Sequence, residues 1–273
     1  MAPAGGNASS QEILYGLHAV REALKAGGRP LQRVLVLRTD KQFTDLVQLA
    51  RSRRVPLHIQ PLASLDRLVP NGKHQGVVAF AAAKAYQTQE EILGRAAERR
   101  EPPLLVILDG VEDPHNLGAV LRTAEGAGAH GVFIPERRAA GLTSVVAKAS
   151  AGAIDHIPVS RVTNLSRLLE SLKAAGVWIY GVTPSAEKVF TDVDYRGPVG
   201  FVLGAEGPGI RSGVVQHCDE CVHIPLRGKV QSLNVSAAAA IVLYEAVRQR
   251  ERTDRAGGRS TDSERPPLDS RLQ

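Results

Sequence analysis

Just after the first apolar strand pattern of its second half, the chain lacks the two glycine fingerprints that mark most strand–loop–helix nucleotide sites. In "LLVILDGVEDPHNLGAVLRTAEGAGAHGV" (Leu104–Val132) an apolar run meets an Asp-Gly turn, and a helical pattern then begins near Asn-Leu-Gly and carries an Arg in its second turn. Neither G-x-G-x-x-G nor G-x-x-x-x-G-K-[ST] stands just after the strand, which excludes the usual pyrophosphate cradles at this turn. The N-terminus, "MAPAGGNASSQEI", has no basic segment leading into an apolar one, so no secretory signal is expected. The longest helix-like apolar run, "SAAAAIVLYEAV", is shorter than the ~20 residues that span a bilayer. The expectation is a soluble, cytoplasmic protein without a membrane partner. Cysteine is scarce as well. Cys218 and Cys221 stand beside His217 and His223 in "QHCDECVHI", which could be read as a small metal site. They lead into a strand, where alternate side chains point to opposite faces, so four ligands this close would not converge on one ion. Two reduced thiols at a strand edge, and no metal, are expected.

What is present is an uneven charge. The 273 residues carry a net charge of +6 and suffice for two domains. Residues 11–82 hold eleven Lys/Arg against five Asp/Glu, whereas residues 83–250 hold eighteen of each. A basic module joined to a neutral one suggests that the first holds a polyanion such as RNA and the second does something else.

The pattern of elements supports the same division. Residues 1–10 are small and polar and are expected to be disordered. Between 11 and 82, "GLHAVREALKAG", "FTDLVQLARSRR" and "LASLDRLV" read as helices, and "RVLVLR", "PLHIQ" and "GVVAFAA" as strands, giving a small α/β module. Residues 83–102 are charged, end in Pro-Pro and read as a linker with a short helix. From 103 to 250, six strand patterns ("LLVILDG", "GVFIP", "HIPVS", "VWIYGVT", "VGFVLG", "CVHIPL") alternate with helices near 116–129, 143–152, 164–175, 209–216 and 234–250. Such alternation predicts a mostly parallel sheet covered on both faces. Residues 251–273 are polar and rich in Pro, Gly and Ser, and are expected to be a disordered tail.

Ligands of open parallel sheets gather at the carboxyl ends of the strands. Three loops there have unusual composition: the opening stretch, "FVLGAEGPGI" (Phe201–Ile210) and "HIPLRGKVQSLNVSAAAAIVLYEA". In the second, three glycines allow close approach of backbone N–H groups and Glu206 stands between them. In the third, Ser232, Asn234 and Ser236 are helix-capping types. Singly, each has a plain structural explanation.

Together, "NLGAVLRT" (116–123), "LGAEGPGI" (203–210) and "IPLRGKVQSLNVSAAAAI" (224–241) resemble, in order and spacing, the motifs of the SpoU (TrmH) branch of the SPOUT RNA methyltransferases. The stretch "AKASAGAIDHIPV" (147–159) is similar to the family too. "YGLHAVREAL" and "HQGVVA" (74–79) resemble the ribosomal-protein-like substrate-binding domain that precedes the catalytic domain in 23S rRNA guanosine-2'-O-methyltransferases. The resemblance implies an α/β fold whose C-terminal parallel-sheet domain holds a trefoil knot, which no pattern here would suggest. It implies S-adenosylmethionine as cofactor, held by Leu203, Gly204, Ile224 and Leu233, with Thr183 as a further candidate. It implies a homodimer with the site near the interface, and RNA, most of all rRNA, as partner.

The implied reaction is methyl transfer to a ribose 2'-hydroxyl. The family's motif-one Arg, here Arg122, is held to activate that hydroxyl. An Arg, with a pKa above ~12, is a poor base; gripping a phosphate and stabilising the alkoxide suit it better. Glu206 is the alternative proton acceptor, and Asn116, Ser232 and Asn234 would position the ribose and the loops. A tRNA or resistance-type rRNA ribose methyltransferase of the same branch stays open. So does a non-catalytic rRNA-binding assembly protein, although Asn116, Arg122, Glu206, Ser232 and Asn234 are all in place.

Overall fold

In the structure, a computed structural model, residues 11–70 and 72–257 are described. The expectations for residues 1–10 and for the tail after 257 lie outside the described residues. The first module runs β1 (Gln11–Tyr15), α1 (Leu17–Ala26), β2 (Leu31–Val36), α2 (Thr44–Ser52), β3 (Leu57–Ile59), α3 (Leu62–Leu68) and β4 (Val77–Ala82). Its sheet has the order β1-β4-β2-β3. β4 pairs antiparallel with β1 and β2, and β2 pairs parallel with β3. β4 is central, and this explains its unbroken apolar run: Val77 to Ala81 are all buried. α1 buries Leu17, Val20, Ala23 and Leu24 at helical spacing. Gly27 ends the helix at φ 62°, its N–H bonded to the Ala23 carbonyl at 3.2 Å. β1 is a short edge strand that the sequence pattern did not reveal.

The segment expected as a linker is tied down instead. Gln87 N–H donates to the Val159 carbonyl at 2.9 Å. α4 (Gln89–Arg99) opens on a Thr88/Glu91 capping box and buries Ile92 and Ala96. Ile92 fills the space above Gly131, where a Cβ would lie 2.6 Å from its Cγ2.

The second module comprises β5 (Leu104–Asp109), α5 (Pro114–Gly126), β6 (Gly131–Pro135), α6 (Ser144–Ala149), β7 (Val159–Val162), α7 (Leu165–Ala174), β8 (Trp178–Val182), β9 (Lys188–Val189), β10 (Val199–Gly204), α8 (Ser212–Val215), β11 (Glu220–His223) and α9 (Val235–Gly257). Seven strands, all paired in parallel, lie in the order β7-β6-β5-β10-β8-β11-β9. β9, two residues long, was not anticipated. Gly204 pairs with Asp109, Leu203 with Val182, and Val222 with Val182. The loops after β5, β10, β8 and β11 therefore leave the sheet at one level. α9 packs on α5 and β10 and buries Val235, Ala239, Val242, Leu243 and Ala246. It continues to Gly257, past the boundary expected at 250, so the start of the presumed disordered tail is helical. Glu, Arg and Ala favour helix, and Gly257 is the first breaker.

The two modules are docked to each other. Arg29, with its side chain 2% exposed, faces Asp155, 1% exposed, in the turn before β7. Nη2 donates to Oδ2 at 3.1 Å, while Nε and Oδ1 make an ionic contact at 2.9 Å without good hydrogen-bond alignment. Arg29 Nη1 also reaches Glu12 Oε2 at 3.3 Å. His156 Nε2 meets Glu22 Oε2 at 3.0 Å, and Gly152, at φ 91°, leaves room for the Glu22 side chain. No helix among the described residues is long and apolar enough to cross a membrane.

Candidate active site

Three strand-end loops meet at one point. After β5 the chain turns at Gly110 (φ 84°) and enters α5. The Asp113 side chain accepts the His115 N–H at 2.9 Å and Pro114 takes the first helical position. Asn116 is thereby presented at the open end of α5. After β10, Ala205 N–H bonds to the Asp109 carbonyl at 2.9 Å, and Gly209 N–H bonds back to the Ala205 carbonyl at 3.0 Å. Gly207 and Gly209 adopt φ of 88° and 69°, which closes the loop and puts Glu206 at its tip. After β11 a loop of residues 224–234 leads to α9, where the Asn234 side chain accepts the Ser236 N–H at 2.9 Å as a helix cap.

The side chains interlock. Asn116 Nδ2 donates to Glu206 Oε1 at 3.1 Å, and Asn234 Nδ2 donates to Asn116 Oδ1 at 2.9 Å and also to Glu206 Oε1. Both amides converge on Oε1, which leaves Oε2 without a hydrogen bond among the described residues. Two clefts share Glu206 as a wall. One is lined by Thr183, Leu203, Gly204, Ile224, Ser232 and Leu233 together with Leu226, Val235 and Ala238. It is mostly apolar, and its lining suits a small-molecule cofactor. The other is more polar and is lined by Gly110, Glu112, Asp113, Asn116 and Pro208.

All five candidate cofactor residues therefore border one cleft, and Asn116, Glu206 and Asn234 form one cluster. Ser232 lines the apolar cleft and makes no hydrogen bond among the described residues. Arg122 is not brought in. It lies six residues along α5 from Asn116, so on another side of the helix, and is exposed. Among the described residues it has no hydrogen-bond or ion-pair partner.

Sequence reasoning missed Asp109 and Arg211. Asp109 is fully buried at the end of β5, and its carboxylate takes the Arg211 N–H at 2.9 Å and Nε at 2.8 Å. The pair anchors both ends of the glycine loop. An Asp closing an apolar strand before Gly was the available signal. Gly204 has a different reason from close approach to a ligand: a Cβ there would lie 2.0 Å from the Gly209 carbonyl carbon, inside the loop's own fold.

Cys218 and Cys221 are free thiols that flank Gly181. They face one point rather than opposite sides, because Cys218 precedes β11. Burial pushes the Cys218 thiol up to about 12 and raises Cys221 as well. No group of three or more His, Cys, Asp or Glu among the described residues could hold a metal.

Residues 103–244 match the profile of the SpoU rRNA Methylase family, and residues 13–87 match that of RNA 2'-O ribose methyltransferase substrate binding. The chain is 44% identical over 240 residues to the putative TrmH family tRNA/rRNA methyltransferase YacO of Bacillus subtilis, covering 88% of this chain and 96% of the relative. It is 42% identical over 245 residues to the 23S rRNA (guanosine-2'-O-)-methyltransferase RlmB of Coxiella burnetii, covering 89% and 98%. Among solved structures, the SpoU methyltransferase AviRb of Streptomyces viridochromogenes in complex with AdoMet superposes with a TM-score of 0.75 at 26% identity, covering 88% of this chain and 91% of that one.

Proposed function

The chain belongs to the SpoU rRNA methylase family, and from that premise we propose that it methylates a ribose 2'-hydroxyl of RNA with S-adenosylmethionine, the target being a guanosine of 23S rRNA. The observation that carries this reading is the junction of Asn116, Glu206 and Asn234 between an apolar cleft and a more polar one.

The apolar cleft fits the cofactor by the chemistry of its lining. Leu203, Ile224 and Leu233 offer apolar walls, while Gly204, Thr183 and their neighbours offer backbone groups at its edge. When bound there, S-adenosylmethionine supplies an electrophilic methyl group. The protein's own part is alignment and proton transfer. Fixing the hydroxyl beside the methyl group is worth effective molarities of ~10⁵–10⁸ M. Glu206 Oε2, free of the two amides that fill Oε1, is the group that takes the hydroxyl proton. Asn116 and Asn234 hold that carboxylate in place, and Ser232 contacts the ribose from the rim of the cleft. Arg122 grips the adjoining phosphate and stabilises developing negative charge. Its distance from the cluster within one chain supports a homodimer in which a second copy covers the α5–α9 face. Tyr244 of α9, 52% exposed beside Gly126 of α5, belongs to that face. Residues 11–82 hold the RNA and residues 103–250 carry the chemistry, with the 224–234 loop threaded as a trefoil knot. The enzyme acts in the cytoplasm.

Mapping 2'-O-methyl groups in rRNA from cells with and without the gene tests the reading. Loss of one guanosine methylation in 23S rRNA is expected, restored by the purified protein with S-adenosylmethionine. An unchanged 23S map with a lost tRNA methylation would move the substrate, and no binding of S-adenosylmethionine would overturn the activity.

A further inference from the structure

A groove opens at the carboxyl ends of β6 and β7, outside the two clefts described above. Its walls are Arg137 and Arg138 from the loop after β6, Thr163 and Asn164 at the start of α7, and Arg211 at the foot of the glycine loop. Arg137 and Arg138 are exposed, and neither has a hydrogen-bond, ion-pair or ring partner among the described residues. They differ in this from Arg21, Lys25, Arg29 and Arg38 of the first module, each of which is matched by a carboxylate. Glu136 is the single acid that lines the groove. Arg161 adds a further positive charge beside it, its Nη2 donating to the Glu136 carbonyl at 2.8 Å.

The groove is joined to the site by covalent and hydrogen-bonded links. Arg211 follows directly on the loop that carries Glu206, and Asp109 fixes its backbone and its guanidinium. The arginine loop is tied on one side to the β5–α5 loop, with Ala140 N–H on the Val111 carbonyl at 3.0 Å. On the other side Leu142 N–H donates to Tyr86 Oη at 3.2 Å, on the strap that leads back to the first module. The groove and the cleft beside Asn116 both open at the carboxyl ends of neighbouring strands, β6 and β7 for the one and β5 for the other. No aromatic ring lines it, so it lacks the platform on which successive bases of a single strand stack. Planar guanidinium forks are instead suited to gripping phosphate oxygens in pairs.

We infer that this groove binds the phosphodiester backbone of the RNA strand flanking the target nucleotide, without reading its bases. The inference rests on the methyltransferase reading and adds a substrate contact to it. The two arginines act on binding and not on methyl transfer.

The test is the double variant Arg137→Glu/Arg138→Glu, with Arg137→Gln/Arg138→Gln beside it and Arg99→Glu, exposed at the end of α4 by the opposite edge of the sheet, as control. Affinity for an rRNA fragment is measured against salt, steady-state methylation against RNA concentration, and S-adenosylmethionine binding by calorimetry. Two lost phosphate contacts should flatten the slope of log K against log salt by about 1–2 and raise KM for RNA roughly tenfold or more. kcat and cofactor affinity should stay near wild type, and Arg99→Glu should leave the slope alone. A double variant with wild-type slope and KM overturns the inference while the methyltransferase reading stands. A control that flattens the slope equally overturns it too, by reducing the effect to net charge. A wild-type protein that methylates no RNA removes the reading itself and the inference with it.

Discussion

Replacing Arg29 by Leu should destabilise the docked pair of modules more than any surface change in the chain. The guanidinium and the Asp155 carboxylate are 2% and 1% exposed, so their shared environment excludes the water that would otherwise solvate a lone charge. Removing one partner of a buried pair leaves the other uncompensated and costs about 3–5 kcal/mol. With a urea slope on the order of 2.5 kcal/mol/M, the unfolding midpoint should drop by about 1–2 M. Asp155→Leu should cost a similar amount. The double replacement Arg29→Leu/Asp155→Leu should cost less than the sum, because neither fully buried charge is then stranded and only the partly exposed Glu12 loses a contact. Urea unfolding followed by circular dichroism reads all three. S-adenosylmethionine affinity should be unchanged in each, since Arg29 and Asp155 border neither cleft of the site. A loss below about 1 kcal/mol for Arg29→Leu, or fully additive losses in the double variant, would refute the reasoning.

Gly204→Ala adds a single methyl group, yet its Cβ would meet Gly209 and Ile210 backbone atoms at 2.0–2.3 Å; the glycine loop must rearrange, and calorimetry should show S-adenosylmethionine affinity falling by at least about tenfold, whereas wild-type affinity would mean that the loop tolerates a side chain. Cys218, raised from 9.0 to about 12 by burial, should react with iodoacetamide at pH 8 roughly a thousandfold more slowly than an ordinary thiol until the protein unfolds; rapid alkylation of the native protein would contradict its burial. Burial tends to raise the Glu22 carboxyl, but hydrogen bonds and charge from Lys25 and His156 outweigh it and hold the group below its ordinary 4.5. Its contribution is therefore present above about pH 4.5 and lost as pH falls through the lower folded-state value. Glu22→Gln should flatten the acid side of the stability profile, and an unchanged profile would count against the contact.

Much of this could be read from the sequence, for a physical reason. Glycine-rich and capping residues placed just after apolar strands announce loops at the carboxyl edge of a parallel sheet, and there Asn116, Glu206 and Asn234 meet. Leu203, Gly204, Ile224, Leu233 and Thr183 border one cleft because β8, β10 and β11 end level with one another. What stayed hidden depends on partners remote in the chain. Counting charges made residues 11–82 a basic surface, but it could not see that Arg29 is buried against Asp155 in the other module. Nor could it see that Arg53 donates to the Lys25 carbonyl at 2.5 Å beneath α1. Lys41, Arg51, Arg54 and Lys73 are the cations there without a hydrogen-bond, ion-pair or ring partner for the side chain among the described residues, so the RNA surface of that module is narrower than its composition suggests. Asp109 and Arg211 escaped because a hundred residues separate them. β1 and β9 escaped because short edge strands carry little periodic signal.

The central claim is that Glu206, held by Asn116 and Asn234, takes the ribose proton. Glu206→Gln keeps the shape and the Oε1 acceptor while removing the base, so it isolates that role. Single-turnover methylation of an rRNA fragment, measured for both proteins at saturating S-adenosylmethionine, is the direct test. The account predicts near wild-type cofactor binding and a rate lower by ~10²–10⁴-fold. A Gln variant that methylates at the wild-type rate would contradict it and leave the proton to another group.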